Sequence, residues 1–207
     1  GMLLFGGERI KQVLPQSGIT CMKIDGDQLT DKKSDHQFYT RDAFNNFDDA
    51  WHFFYRYNTH TYEINGAKRV DKYDYPEKVF REILANAVIH RDYTIAGSEI
   101  FVLIYNNRIE VKSPGRLPNT ITVDKMKFGS KYHRNPVLAQ FFALAGIVEM
   151  LGQGIPIADQ WLRENGNPEL QIEEKAENGN PELQIEEKAQ EVVVTIFKRQ
   201  DISEKGT

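Results

Sequence analysis

Arg81-Glu82-Ile83-Leu84-Ala85-Asn86-Ala87-Val88-Ile89-His90-Arg91-Asp92-Tyr93 is the stretch on which the fold turns. With Val79 and Phe80 just ahead of it, its apolar residues Ile83, Leu84, Ala87 and Val88 fall on one arc at helical spacing. Glu82, Asn86 and His90 follow one another at i,i+4 steps along the edge of that arc. A carboxylate, an amide and an imidazole therefore border a buried face, where a cation or a water can be held. The alternative reading of the same row is a solvated helix flank.

Moving outward toward the C-terminus, Gly97 breaks the chain before Glu99 to Tyr105, a nearly continuous apolar run suited to an interior strand. Asn106-Asn107 makes a turn, and Arg108 to Lys112 alternates as an antiparallel partner with one wet face should. These two strands are expected to form a hairpin beneath the helix. Ser113-Pro114-Gly115-Arg116-Leu117-Pro118 is a rigid turn, followed by a basic segment with Lys125, Lys127, Lys131, His133 and Arg134. Asn135-Pro136 is the cap and first position of an apolar helix that Gly146 ends. Gly152-Gln153-Gly154 opens a further helix over about 157–164, and Glu191 to Phe197 is a strand rich in β-branched residues.

Toward the N-terminus, Tyr62 to Ile64 and Lys68 to Tyr73 flank Asn65-Gly66, a hairpin signal, and Tyr75-Pro76 stops the second strand before the helix. A helix is expected over about 47–57, capped by Asn46 or Asp48, with its aromatic residues packed in the core. Ile19 to Ile24 reads as a strand, Asp25 to Asp35 as a polar loop, and Leu3-Leu4-Phe5 as the last strand of an element that precedes it. Helices crossing one antiparallel or mixed sheet make an α+β two-layer sandwich.

At 207 residues and 40% hydrophobic content, the chain can bury a core of its own. No run approaches the roughly 20 apolar residues of a membrane-spanning helix, and no signal peptide is visible, so a cytoplasmic protein without a membrane partner is expected. The single cysteine, Cys21, sits in a strand pattern and reads as a packing residue. ENGNPELQIEEKA occurs at 164–176 and again, letter for letter, at 177–189. The copies hold eight of the 30 acidic and two of the 26 basic residues, leaving 22 acidic and 24 basic elsewhere. That balance is too even to indicate a nucleic-acid surface. The repeat is a recent tandem duplication or an artefact, one copy being the native connection and the other a surface insertion.

Several chemistries are excluded by pattern. The sequence has no Gly-x4-Gly-Lys-Ser/Thr phosphate loop, no His-x3-His zinc pair and no Gly-x-Ser-x-Gly nucleophile elbow. His90-Arg91-Asp92 has the letters of a kinase catalytic loop without a kinase glycine loop or Asp-Phe-Gly.

In order and spacing, Glu82-x3-Asn86-Ala87-x2-His90-Arg91-Asp92-Tyr93, Asn107 to Glu110, Ser113-Pro114-Gly115-x-Leu117-Pro118, Arg134-Asn135-Pro136 and Gly152-x-Gly154-Ile155-Pro156 resemble the bacterial RecG-related transcriptional regulators. That resemblance implies a preceding Schlafen/AlbA-like DNA-binding domain, of which residues 1–66 are a remnant and connecting segment. Residues 67–200 are then one domain similar to the GHKL (Bergerat) ATPase fold, with a tail at 201–207. The chain is thus expected to be a fragment that meets DNA through flanking domains, as a possible homodimer.

The GHKL resemblance further implies a role for each motif. Glu82 positions water and Asn86 holds Mg²⁺, chemistry that suits a carboxylate and a hard amide oxygen one turn apart. Gly152, Gln153 and Gly154 face phosphate, while His90, Ser113, Gly115 and Arg134 line the rest of an ATP site beneath a lid at 125–134. Where those ATPases carry an adenine-reading Asp, this chain has Ser113. Two readings therefore stay open: a nucleotide-binding regulatory module with ATP, Mg²⁺ and at most weak ATPase activity, or a non-catalytic scaffold that couples or dimerises its flanking domains.

Overall fold

The computed structural model describes residues 1–65, 68–117, 121–129, 132–149, 152–176 and 190–199. Six strands form one mixed sheet in the order β2-β1-β5-β6-β8-β7. They are β1 (Ile19–Ile24), β2 (Lys33–Tyr39), β5 (Ile100–Ile104), β6 (Arg108–Pro114), β7 (Gln171–Ala176) and β8 (Gln190–Phe197). The pair β1/β5 is parallel and the other pairings are antiparallel. A separate hairpin joins β3 (His60–Asn65) to β4 (Lys68–Tyr73), with Asn65 opposite Lys68 as the Asn-Gly signal predicts. Its turn residues, 66 and 67, lie outside the described residues.

The helices are α1 (Met2–Phe5), α2 (Ile10–Val13), α3 (Ala43–Tyr57), α4 (Glu77–His90), α5 (Val123–Lys127), α6 (Pro136–Leu144) and α7 (Gly154–Asn165). Helix α4 is the central one and touches α3, α6, α7 and strand β6. Its predicted apolar arc is buried: Val79, Phe80, Ile83, Leu84, Ala87 and Val88 all enter the main core. There the Phe80 ring stacks on Phe54 of α3 at 3.9 Å, and Phe142 of α6 stacks on Phe44 at 4.8 Å. Alternation along the sheet supplies the other wall, with Ile100, Val102, Ile104, Ile109 and Val111 pointing to the helices. The opposite face carries a small cluster of Ile24, Leu103 and Tyr105, and the Arg108 guanidinium covers the Tyr105 ring at 3.9 Å. Among the described residues, no helix is long and apolar enough to cross a membrane.

Four local expectations are corrected. Leu3 to Phe5 is a helical turn, α1, that packs Leu4 into the core and sets Phe5 edge-on to Phe141 at 5.7 Å. The polar loop ends earlier than expected, because β2 begins at Lys33 and pairs along the edge of β1. Helix α3 starts four residues sooner and is capped by Asp42, whose carboxylate accepts from the Asn45 N–H at 3.0 Å. Asn46 is instead buried and holds the Ser17 and Arg41 backbone. Strand β7 is an additional element, formed by the first repeat copy.

That first copy is an integrated connection. Gly166 ends α7 in the left-handed conformation at φ 84°, Asn167 donates to Asp74 O and Phe197 O, and Leu170 and Ile172 are buried. The second copy, 177–189, lies outside the described residues. Strands from before residue 66 share one sheet with strands that follow it.

Candidate functional site

Helix α4, the end of β6, residues of 121–129 and 132–134 and the start of α7 enclose a cavity of about 130 Å³. A single water needs only ~10–15 Å³ on the same measure, so the space suits a ligand of many atoms. Around it the structure brings together Glu82, Asn86, His90, Ser113, Gly115, Arg134, Gly152 and Gly154. Gln153 stands apart: it is the N-cap of α7 and faces an adjoining groove with Lys78, Arg81 and Trp161.

The i,i+4 step from Glu82 to Asn86 becomes a contact, with Asn86 Nδ2 donating to Glu82 Oε1 at 2.9 Å. Among the described residues the Asn86 carbonyl oxygen accepts no hydrogen bond, which leaves a hard ligand atom at the cavity wall. Burial raises the Glu82 pKa above the usual carboxylate range, the Asn86 bond opposes it, and Glu149 adds to the rise. The carboxylate lies against the first residue of α7: a Cβ built on Gly154 would sit 1.7 Å from Glu82 Oε1. Glycine there is what allows a helix N-terminus and an acidic side chain to meet. No cluster of three or more His, Cys, Asp or Glu suited to a metal occurs among the described residues. Mg²⁺ commonly takes one or two protein oxygens and completes its shell from water and phosphate, so Asn86 and Glu82 fit that ion.

One turn on, His90 lies beside His133, ring centroids 5.6 Å apart. Burial, then the neighbouring His133 and Arg134, pull the His90 pKa down to about 4. The imidazole is neutral at pH 7, unlike the dipole-stabilised cation that a helix C-terminus can favour.

The turn after β6 closes this end. Ser113 Oγ donates to Ala87 O of α4 at 2.9 Å, so the hydroxyl proton is engaged in tying sheet to helix. Gly115, at φ 120°, makes room for Arg134: a Cβ there would meet Arg134 Nη1 at 2.2 Å. Arg134 Nη2 donates to Arg116 O, and Nη1 lies 3.3 Å from Asp92 Oδ2. Above the cavity, Ile121, Met126 and Tyr132 form the roof, and Gly129 packs against the Gly152 carbonyl. Of the expected lid, residues 130 and 131 lie outside the described residues.

Two positioning residues escape a sequence reading. Arg91 is fully buried and donates to Asp92 O, Ile95 O and Ser98 O, fixing the exit of α4 while its guanidinium packs on the Tyr93 ring at 4.9 Å. Asn135 occupies the N-cap position of α6, yet its side chain turns back and donates to Ile89 O and Arg91 O at 2.8 Å each. The sequence signal for a cap is present, but the end it caps is the C-terminus of α4. Asp92 and Tyr93 hold the same exit, through Thr94 and through Tyr93 Oη donating to Val88 O at 3.0 Å.

No match was found among curated proteins. The crystal structure of the DIP2311 protein from Corynebacterium diphtheriae is similar in fold, with a TM-score of 0.73 at 22% identity over 90% of this chain. The present chain spans 36% of that protein's length. A family model matches residues 97–196, which include Ser113, Gly115, Arg134, Gly152 and Gly154, whereas Glu82, Asn86 and His90 precede the matched segment. The matching model is that of the family described as "Putative ATP-dependent DNA helicase recG C-terminal".

Proposed function

We propose that this chain is a nucleotide-binding regulatory module of a DNA-binding transcriptional regulator, taking a purine nucleoside triphosphate with Mg²⁺ in the cavity between α4, the end of β6 and the start of α7. The observation that carries the reading is the seating of the Glu82–Asn86 pair against the N-terminus of α7, with Gly154 in contact with the carboxylate. Backbone N–H groups at a helix start favour phosphate, and the Glu82 carboxylate with the Asn86 amide oxygen beside them favours the cation that accompanies it. Asn86 Oδ1 would be the metal ligand. Glu82, with its raised pKa, would orient a water near the terminal phosphate, which is compatible with weak hydrolysis.

The test is thermal unfolding with and without millimolar ATP or GTP, each with Mg²⁺. A rise in Tm that disappears in Asn86→Ala supports the reading, since a ligand that binds only the folded state stabilises by mass action. No rise with either nucleotide rejects it. The second reading, a scaffold that couples or dimerises flanking DNA-binding domains without a nucleotide, is favoured by one observation: Ser113 carries no charge and spends its proton on Ala87 O. Saturable nucleotide binding would reject that alternative.

A further inference from the structure

We infer that the end of the cavity beside Ser113 selects a purine with a 6-oxo group, guanine or hypoxanthine, over adenine. This rests on the nucleotide reading above and names the base.

Two side chains bring unpartnered nitrogens to that end of the cavity. Arg134 Nη1 is buried and makes no aligned hydrogen bond, although Asp92 Oδ2 lies 3.3 Å away. His133 Nδ1 is likewise buried without a hydrogen-bond partner, and its ring lies beside that of His90. A guanidinium only donates, and an imidazole nitrogen that carries its proton donates as well. Carboxylates that could accept from an amino group are engaged or remote. Asp92 accepts from Thr94 N and Oγ1 and is not among the residues lining the cavity, whereas Glu82 and Glu149 lie at the other end, by Gly154.

The two base types differ at the relevant edge. Adenine offers an amino donor next to its N7 acceptor; guanine and hypoxanthine offer O6 and N7, two acceptors that match an arginine. A 6-oxo purine also carries a hydrogen on N1, and the Ser113 oxygen, its own proton given to Ala87 O, retains lone pairs to accept it. Adenine in the same place would set its amino group against the arginine and leave buried donors unmatched, which is the costlier arrangement.

The experiment is calorimetric titration of the full chain with ITP, GTP and ATP at fixed Mg²⁺ and salt. ITP and ATP differ in their bases only at the 6-position and the N1 hydrogen that accompanies it. ITP and GTP are expected to bind about five- to hundredfold tighter than ATP. ATP binding as tightly as ITP overturns the base assignment and leaves the nucleotide reading standing, whereas no binding of any of the three overturns both. Arg134→Met removes the donor and should bring the ITP-to-ATP ratio toward one. His133→Phe, which keeps a ring beside His90, should reduce the ratio in a variant with the Arg134 contacts intact. An unchanged ratio in a folded variant of both kinds, checked by circular dichroism, overturns the assignment.

Discussion

Gly154→Ala tests whether the start of α7 is glycine because Glu82 lies against it. The three atoms nearest an added Cβ all belong to Glu82: Oε1 at 1.7 Å, Cδ at 2.5 Å and Cγ at 3.1 Å. The carboxylate must therefore swing away and give up the 2.9 Å bond from Asn86. A hydrogen bond to a charged group contributes about 1.5–3 kcal/mol. Replacing glycine by alanine returns up to about 1 kcal/mol of helix propensity, less at a terminal position. The net expectation is a loss of about 1–2 kcal/mol, or roughly 2–8 °C in Tm for a chain of this size. Urea unfolding followed by circular dichroism at pH 7 measures it as a lower midpoint at unchanged slope. In a Glu82→Ala background those three atoms are gone, and the substitution should cost clearly less than in the parent. Equal losses in both backgrounds would refute the contact as the reason for glycine.

Other substitutions probe the remaining parts of the site. His90, ordinarily near 6.5 and held at about 4 here, stabilises the fold above pH 6.5 and loses about 3 kcal/mol of that as pH falls through 4. The raised Glu82 pKa acts in the opposite sense, its contribution being present at low pH and lost as pH rises. Urea midpoints of His90→Gln should accordingly fall less than those of the parent between pH 6.5 and 4, and parallel curves would contradict the assignment. Asn135→Ala leaves Ile89 O and Arg91 O without their amide donor and should cost about 1–3 kcal/mol; hydrogen exchange should show the loss concentrated at the end of α4, and uniform loosening would argue against it. Phe80→Ala removes a fully buried ring stacked on Phe54, with an expected loss of about 3–5 kcal/mol in thermal or urea unfolding; a loss under 1 kcal/mol would mean that the core had closed over the gap.

Elements that bury a regular apolar pattern are legible in the amino-acid order: α4, β1, β5, β6 and β8 lie where period and turn signals place them. Edge strands are not. The β2 stretch Lys33–Tyr39 is largely exposed, and β7 carries Glu-Glu-Lys, so their pairing rests on backbone hydrogen bonds to β1 and β8 that leave little trace in side-chain pattern. Leu3 to Phe5 misleads for a related reason, since a three-residue apolar run does not distinguish strand from helical turn.

Local order alone determined the helix carrying Glu82, Asn86 and His90, its buried arc, and the glycine turns, because helical period and backbone freedom are properties of neighbouring residues. What those residues do next to one another was decided only in three dimensions. The Ser113 hydroxyl is turned to Ala87, Asn135 to the end of the wrong helix by sequence but the right one in space, and Arg134 to the gap that Gly115 leaves. A donor takes whichever acceptor the packed chain brings within 3 Å, and that proximity arises between residues far apart in sequence.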